Sequence, residues 1–299
     1  MGIAWVFPGQ GSQAIGMATA VLELPGARER FAIASELLGR DLLAICAGET
    51  LDTVGEPKDL NDTRNTQPAL FVIESLLVDA LKAQGRSADL VAGHSLGELV
   101  ALYAADVLDL ETGLMLMRER STLMAQAGGG AMTAVLGFDR AELEALVAGT
   151  ADVVIANDNS SAQVVLSGTP EAVATVAGTL TCKRAVPLAV SGAFHSPFMA
   201  EAAAAFAALL EPIPFAEASI AVLSNTDPTP CRDGATLKAR LAHQMTTGVR
   251  WRETMEELER SGISTAVEIG PGNVLSGLIK RSCPGISPAR IAGAADLGL

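Results

Sequence analysis

Ala88-Asp89-Leu90-Val91-Ala92-Gly93-His94-Ser95-Leu96-Gly97-Glu98 runs from an apolar segment, through a serine flanked by glycines, into a helix-like stretch that continues to Ala105. Strand, sharp turn and helix in that order are what a G-x-S-x-G nucleophile elbow requires. The glycines permit the tight turn that projects the serine hydroxyl at the strand's end. The string alone is weak in a chain with 29 glycines. Its setting between strand and helix is what marks Ser95 as a candidate nucleophile on an α/β fold.

Upstream, Ile3 to Phe7 reads as a strand, Pro8-Gly9-Gln10-Gly11-Ser12-Gln13 as a turn and Ala14 to Leu24 as a helix. Position 14 is Ala14, so this is not G-x-G-x-x-G, and no acidic residue ends a second strand about twenty positions on; a dinucleotide fold is rejected. Helical patterns cover Ala27 to Ala47 and Ala69 to Gln84, the second beginning at Pro68, a residue suited to a first helical position. Another covers Leu110 to Ala127.

At Gly128-Gly129-Gly130 the pattern changes. Ala131 to Phe138, Asp152 to Asn157, Ala162 to Ser167 and Lys183 to Val190 read as strands, with helices at Arg140 to Ala148 and Pro170 to Leu180. The order βαββαβ is the ferredoxin-like arrangement. After Ser191 come a helix from Phe198 to Leu210, short strands at Ile220 to Ser224 and Thr265 to Ile269, and a final helix from Val274 to Arg281. The expected organisation is a discontinuous large unit, 1–130 and 191–299, carrying a small subdomain at 131–190. No internal repeat or low-complexity linker interrupts it.

The 299 residues, 49% hydrophobic and 18% charged, suit a globular chain. No apolar stretch is long enough for a bilayer, and the start reads as a strand rather than a leader, so a cytoplasmic location and no membrane partner are expected. A net charge of -13 argues against nucleic acid. Cys46, Cys182, Cys231 and Cys283 are far apart and read as structural thiols; with only three histidines, no metal is expected.

A serine nucleophile needs a base. His94 is adjacent in a strand-like run and points to the opposite face, so His195, at the return from the insert in Gly192-Ala193-Phe194-His195-Ser196, is the better candidate. No acid is obviously placed to complete a triad; a dyad works if a carbonyl fixes the imidazole tautomer. The oxyanion needs donors, and the amide after the nucleophile, Leu96, and the turn amide of Gln10 are candidates. Arg120 could clamp a carboxylate with its planar fork, or be a surface residue; Arg118 is its local competitor on another face.

Six ordered strings now carry a resemblance along nearly the whole chain. They are Phe7-Pro8-Gly9-Gln10-Gly11-Ser12-Gln13, Thr66-Gln67-Pro68-Ala69-Leu70, Gly93-His94-Ser95-Leu96-Gly97-Glu98, Asn157-Asp158-Asn159-Ser160, Gly192-Ala193-Phe194-His195-Ser196 and Glu268-Ile269-Gly270-Pro271-Gly272. The chain resembles the malonyl-CoA:acyl-carrier-protein transacylases of type II fatty acid synthesis and the related acyltransferases of polyketide synthesis, and is similar above all to the cyanobacterial versions. The resemblance implies an α/β-hydrolase-like large domain with a ferredoxin-like insert. It also implies malonyl transfer from malonyl-CoA to the phosphopantetheine thiol of acyl carrier protein through a malonyl-serine ester, with no cofactor and a monomeric enzyme.

It assigns Ser95 as nucleophile, His195 as base, the Gln244 carbonyl as the orienter of His195, and the Gln10 and Leu96 amides as oxyanion donors. Arg120, which begins R-x-x-x-M, becomes the carboxylate clamp, with Gln67, Asn157 and Phe194 at the substrate. A phenylalanine at 194 leaves no room for an added methyl, a discrimination worth about 1–3 kcal/mol. An acidic carrier on an acidic chain needs a local basic patch; Lys183, Arg184, Lys280 and Arg281 match positions used by relatives. A serine hydrolase or thioesterase using the same dyad, and a non-catalytic carrier-binding module, remain open at this point, as do polyketide and malonate-decarboxylase roles.

Overall fold

The structure, a computed structural model, describes residues 2–49, 58–190 and 192–298. Met1 and Ser191, the first positions of the two expected segments of the large unit, lie outside the described residues. Strands β1 (Gly2–Phe7), β2 (Leu90–Gly93), β3 (Ala131–Phe138), β4 (Val153–Ser160) and β5 (Gln163–Gly168) are followed by β6 (Cys182–Pro187), β7 (Ala221–Leu223), β8 (Ile263–Ile269) and β9 (Ser287–Ile291). They form two sheets. One is parallel with order β7-β2-β1-β8-β9; the other is antiparallel with order β4-β5-β3-β6.

The parallel sheet is buried on both faces, as helical crossovers require. Its strands alternate accordingly. Trp5, Phe7, Val91, Val222, Val267 and Ile269 enter one core, while Ala4, Val6, Leu90, Ala92, Leu223 and Ala266 enter the other with Trp251, Met255, Leu275 and Leu278. The antiparallel sheet has its own core on one face, where Val135, Val153, Val164 and Leu166 meet Leu143 of the helix Arg140–Gly149 and Val173 and Val176 of the helix Pro170–Thr179. From its other face Met132, Ala156 and Val165 join the large core. A backbone stitch secures this contact: Val249 N donates to Ala156 O at 2.7 Å, and Asp158 N donates to Val249 O at 2.9 Å.

Several expected elements change. The run 14–24 holds only a 3-10 turn, Met17–Val21, entered from Gly16 at φ 83°. The run 27–47 is two helices, Ala27–Leu38 and Leu42–Ala47, divided where Gly39 turns left-handed and Asp41 caps the second by accepting from Ala44 N. The helix expected to begin at Pro68 begins at Thr63, capped by Asp62, and extends to Ala83 with Pro68 inside it. A proline there has no N–H for the Arg64 carbonyl four residues back. That carbonyl accepts from Arg40 Nη2 at 2.8 Å instead, so the helix continues. The helix expected from Phe198 starts at Ala200, after a 3-10 turn Pro197–Met199. Helices Gly234–His243 and Trp251–Arg260 and strand β9 are additional to the expected elements. Among the described residues no helix is long and apolar enough to cross a membrane.

The sheet delivers the serine turn. His94 N donates to Phe7 O at 2.9 Å, Gly97 N to His94 O at 3.0 Å, and the helix Gly97–Ala104 follows. Ser95 itself takes φ 53°, a left-handed conformation costly for a non-glycine residue and characteristic of functional turns. A Cβ on Gly93 would collide with the Gly97 carbonyl, and one on Gly97 with Phe7 O. Gly93→Ala is therefore expected to lower the thermal midpoint, costing about 1–3 kcal/mol or more through forced overpacking. Gly178→Ala is the control, at a helical position where an added Cβ meets nothing within 4 Å. Equal midpoints for the two variants would contradict the close-approach argument.

Candidate active site

Ser95 Oγ lies 2.7 Å from His195 Nε2. The two residues are 100 positions apart in the chain, and both have positive φ, 53° and 56°. The other ring nitrogen, His195 Nδ1, is 2.9 Å from Gln244 O and 3.3 Å from Thr247 O. Carbonyls only accept, so Nδ1 carries the proton and Nε2 is left to accept from the serine hydroxyl. Burial, with a smaller contribution from the Arg120 charge, pushes the His195 imidazole down to about 3. It is a neutral acceptor throughout the neutral range. His94 makes no such contact: its Nε2 pairs with Asn159 Oδ1 at 2.8 Å and its ring leans on Trp251.

Arg120 projects from the helix Leu110–Gln126 and is 1% exposed. Nη1 donates to Gln67 Oε1 at 2.6 Å, and Nη2 donates to Gln244 Oε1 at 2.7 Å and to Ser95 Oγ at 3.1 Å. Nε has no partner. Burial lowers the guanidinium to about 10, opposed by the nearby Glu98 charge, so it stays cationic at neutral pH. Arg118, the local competitor, is half-exposed and pairs with Glu119.

Gln67 is held in turn: its Nε2 donates to Thr63 Oγ1 at 2.8 Å, and that hydroxyl donates to Gln10 Oε1 at 2.9 Å. The turn after β1 is thereby tied to the arginine. Among the described residues the main-chain amides of Gln10 and Leu96 have no protein acceptor. Both residues border the cavity, and free amides there suit an oxygen that gains negative charge.

The cavity at Ser95 is about 80 Å³ and is also lined by Met132, Asn157 and Phe194. Asn157 Oδ1 is buried without a partner. A groove of about 540 Å³ adjoins it, sharing Gln10, Val190 and Phe194, and continues to Asp59, Asn61 and Arg64. The cavity combines the polar groups at Ser95 with an apolar lining from Leu96, Met124, Leu188 and Val190.

Two residues absent from the sequence expectation complete the site. Asn225, just past β7, accepts from Ser95 N at 2.8 Å through Oδ1 and donates from Nδ2 to Gly93 O at 2.6 Å, bracing the strained turn. Glu98 is fully buried, and its Oε2 accepts from Asn225 N at 3.1 Å and Gln244 Nε2 at 2.6 Å. The signal that could have found Asn225 is its position beyond the carboxyl end of a strand in a parallel sheet, where such sites form.

Lys183 and Arg184 on β6, and Lys280 and Arg281 in the last turn of the helix Val274–Ser282, are exposed and are not among the residues lining this cavity. Among the described residues no three His, Cys, Asp or Glu side chains gather as metal ligands. All four cysteines are free, and burial pushes the thiols of Cys46 and Cys283 up to about 12 and about 11.

An acyl transferase domain model matches residues 4–296. The chain is 48% identical over 297 residues, 99% of each chain, to the malonyl CoA-acyl carrier protein transacylase of Synechocystis. The crystal structure of the Synechocystis malonyl-CoA:ACP transacylase superposes with a TM-score of 0.94 at 47% identity, covering 100% of this chain and 99% of the other. A malonyl-transacylase in complex with its type II PKS acyl-carrier protein gives 0.91 at 36%, covering 99% and 98%.

A neutral buried imidazole sets the pH behaviour. Its folded pKa lies below the ordinary 6.5, so between those values the unfolded chain binds a proton that the folded chain does not, and His195 costs stability as pH falls through that window. Reactivity of Ser95 toward a serine-directed sulfonyl fluoride should stay level from pH 8 to pH 6. A half-maximal point near 6.5 in the rate of inactivation would show an ordinary, solvated histidine instead.

Proposed function

The chain belongs to the acyl transferase domain family and is an acyltransferase, and we propose that it moves a malonyl group from malonyl-CoA to the phosphopantetheine thiol of an acyl carrier protein. The observation that carries the substrate assignment is the buried Arg120, whose hydrogen-bond partners are two carboxamides and the Ser95 hydroxyl. A cation so enclosed, 3.1 Å from the nucleophile, suits a substrate with a carboxylate one short spacer from its reacting carbonyl. A hydrolase of neutral esters has no use for it.

In this reading His195 Nε2 takes the Ser95 proton as Oγ attacks the thioester carbonyl. The Gln10 and Leu96 amides hold the oxyanion, and its collapse breaks the C–S bond. The coenzyme A thiolate leaves with the proton from His195, and a malonyl-serine ester remains. The carrier thiol then gives its proton to His195 and attacks the ester; the ester C–O bond breaks and Ser95 regains the proton. This is a ping-pong sequence. Arg120 holds the malonyl carboxylate in both halves, Gln67 and Gln244 set its plane, and Asn157 offers its unpartnered oxygen to a donor on the substrate. Phe194 fills the space that a methyl branch would need. No cofactor takes part.

The large unit, 1–130 with 191–299, is in this reading an α/β-hydrolase-like domain, and 131–190 a ferredoxin-like subdomain roofing the cavity. The βαββαβ order and the strand order β4-β5-β3-β6 support that description. The exposed pairs Lys183-Arg184 and Lys280-Arg281 supply the local positive charge that an acidic carrier protein needs on a chain of net charge -13.

Intact-protein mass after mixing with malonyl-CoA should show one added malonyl group, absent in Ser95→Ala. Arg120→Ala should lose malonyl loading by about 100-fold or more, the scale of a charge-assisted pair, and lose acetyl loading far less; equal losses would remove the clamp. Reversing both basic pairs to glutamate should raise KM for the carrier protein and flatten its salt dependence, leaving loading from malonyl-CoA alone unaltered. An unaltered carrier KM would place docking elsewhere.

A further inference from the structure

The side chain of Gln244 occupies the centre of the site, and its orientation is not free. Its Nε2 lies 2.6 Å from Glu98 Oε2 and 2.9 Å from Ser95 O. Both are acceptors, so the NH₂ end of the carboxamide must face them and Oε1 must face the other way. Oε1 then accepts from Arg120 Nη2 at 2.7 Å. Flipped, the carboxamide would set an NH₂ against a guanidinium and an oxygen against a carboxylate, two repulsive contacts in a buried place. The same Glu98 oxygen also accepts from Asn225 N, while its second oxygen has no partner.

We infer that Glu98 is a positioning residue for substrate selection. By accepting from Gln244 Nε2 it locks the carboxamide so that Oε1 fixes the Nη2 arm of Arg120, and so decides how the guanidinium presents itself to the diacid. Glu98 touches neither substrate nor the reacting atoms. Its contribution lies in the acceptor oxygen rather than in the charge: a glutamine at 98 can offer Oε1 to the same two donors, with its NH₂ in the place of the unpartnered oxygen. The inference rests on the malonyl-transfer reading, with Arg120 as the carboxylate clamp.

The test is the ratio of malonyl to acetyl loading of Ser95, read by intact mass over time. A merely structural role for Glu98 would lower both rates together and leave the ratio alone. In Glu98→Leu the ratio should fall about tenfold or more, the scale of losing a hydrogen bond to a charged group. In Glu98→Gln it should return to within about threefold of wild type, since the acceptor is restored. In an Arg120→Ala background, Glu98→Leu should leave the ratio where Arg120→Ala put it, because the residue through which Glu98 acts is gone. Should Glu98→Leu not fold, Gln244→Leu is read in its place: it cuts the link to Arg120 but keeps the main-chain carbonyl at His195. An unchanged ratio in the leucine variant, or an equal fall in Glu98→Gln, overturns the inference. If wild-type protein takes up no malonyl group, the transfer reading falls instead. Crystal structures of the two Glu98 variants then decide the geometric claim: the Arg120–Gln244 contact kept with glutamine and lost with leucine supports it, and its survival in both refutes it.

Discussion

Burial of the Arg120 guanidinium is the constraint around which this molecule is arranged. A cation removed from water is costly unless its donors are met and its charge is offset. Two carboxamides and the Ser95 hydroxyl take three of its hydrogen bonds, and the nearest opposite charge, Glu98, stands behind Gln244 rather than in contact. The arginine is therefore oriented without being neutralised by a direct ion pair. Its field reaches the dyad as well: it adds to the burial that keeps His195 neutral. A bound carboxylate would relieve both conditions at once, which ties substrate charge to the basicity of the histidine.

The second requirement is that four distant segments meet at the carboxyl ends of adjacent parallel strands. β2 ends in the Ser95 turn, β1 ends in the Gln10 turn, Asn225 lies just past the end of β7, and the 3-10 turn Gln244–Thr246 supplies the carbonyl and carboxamide of Gln244. Small residues at 93 and 97 let these backbones touch. The antiparallel sheet contributes Asn157 and Met132 to the lining of the chamber, and the Val249 stitch ties β4 to the large unit. Buried carboxamides recur here because each offers a donor and an acceptor in one plane, so a network of them has only one self-consistent arrangement.

Legibility in the sequence followed the range of the forces involved. The segments β3 to β6 and their two helices can be read to within a few residues, because alternation and helical spacing are local signals. Pro68 misleads, since its place inside a helix depends on Arg40, 24 residues before Arg64, taking up a carbonyl. Strand β9, Ser287-Pro288-Ala289-Arg290-Ile291, lies at a sheet edge with four exposed positions and carries no apolar pattern. The helix Trp251–Arg260, by contrast, has apolar residues at 251, 255 and 258, a spacing that marks one helix face.

By itself the sequence marked the Ser95 turn, because glycine spacing and chain direction act within a few residues, and six ordered strings were enough to point to a family. Only the tertiary structure decided which groups surround that serine. His195, Asn225 and Gln244 stand 100, 130 and 149 residues beyond it; the resemblance names His195 and Gln244, whereas Asn225 lies in none of the strings that carry it. Sheet order brings them together, and hydrogen-bond complementarity, with each buried donor needing an acceptor, fixes how they face one another.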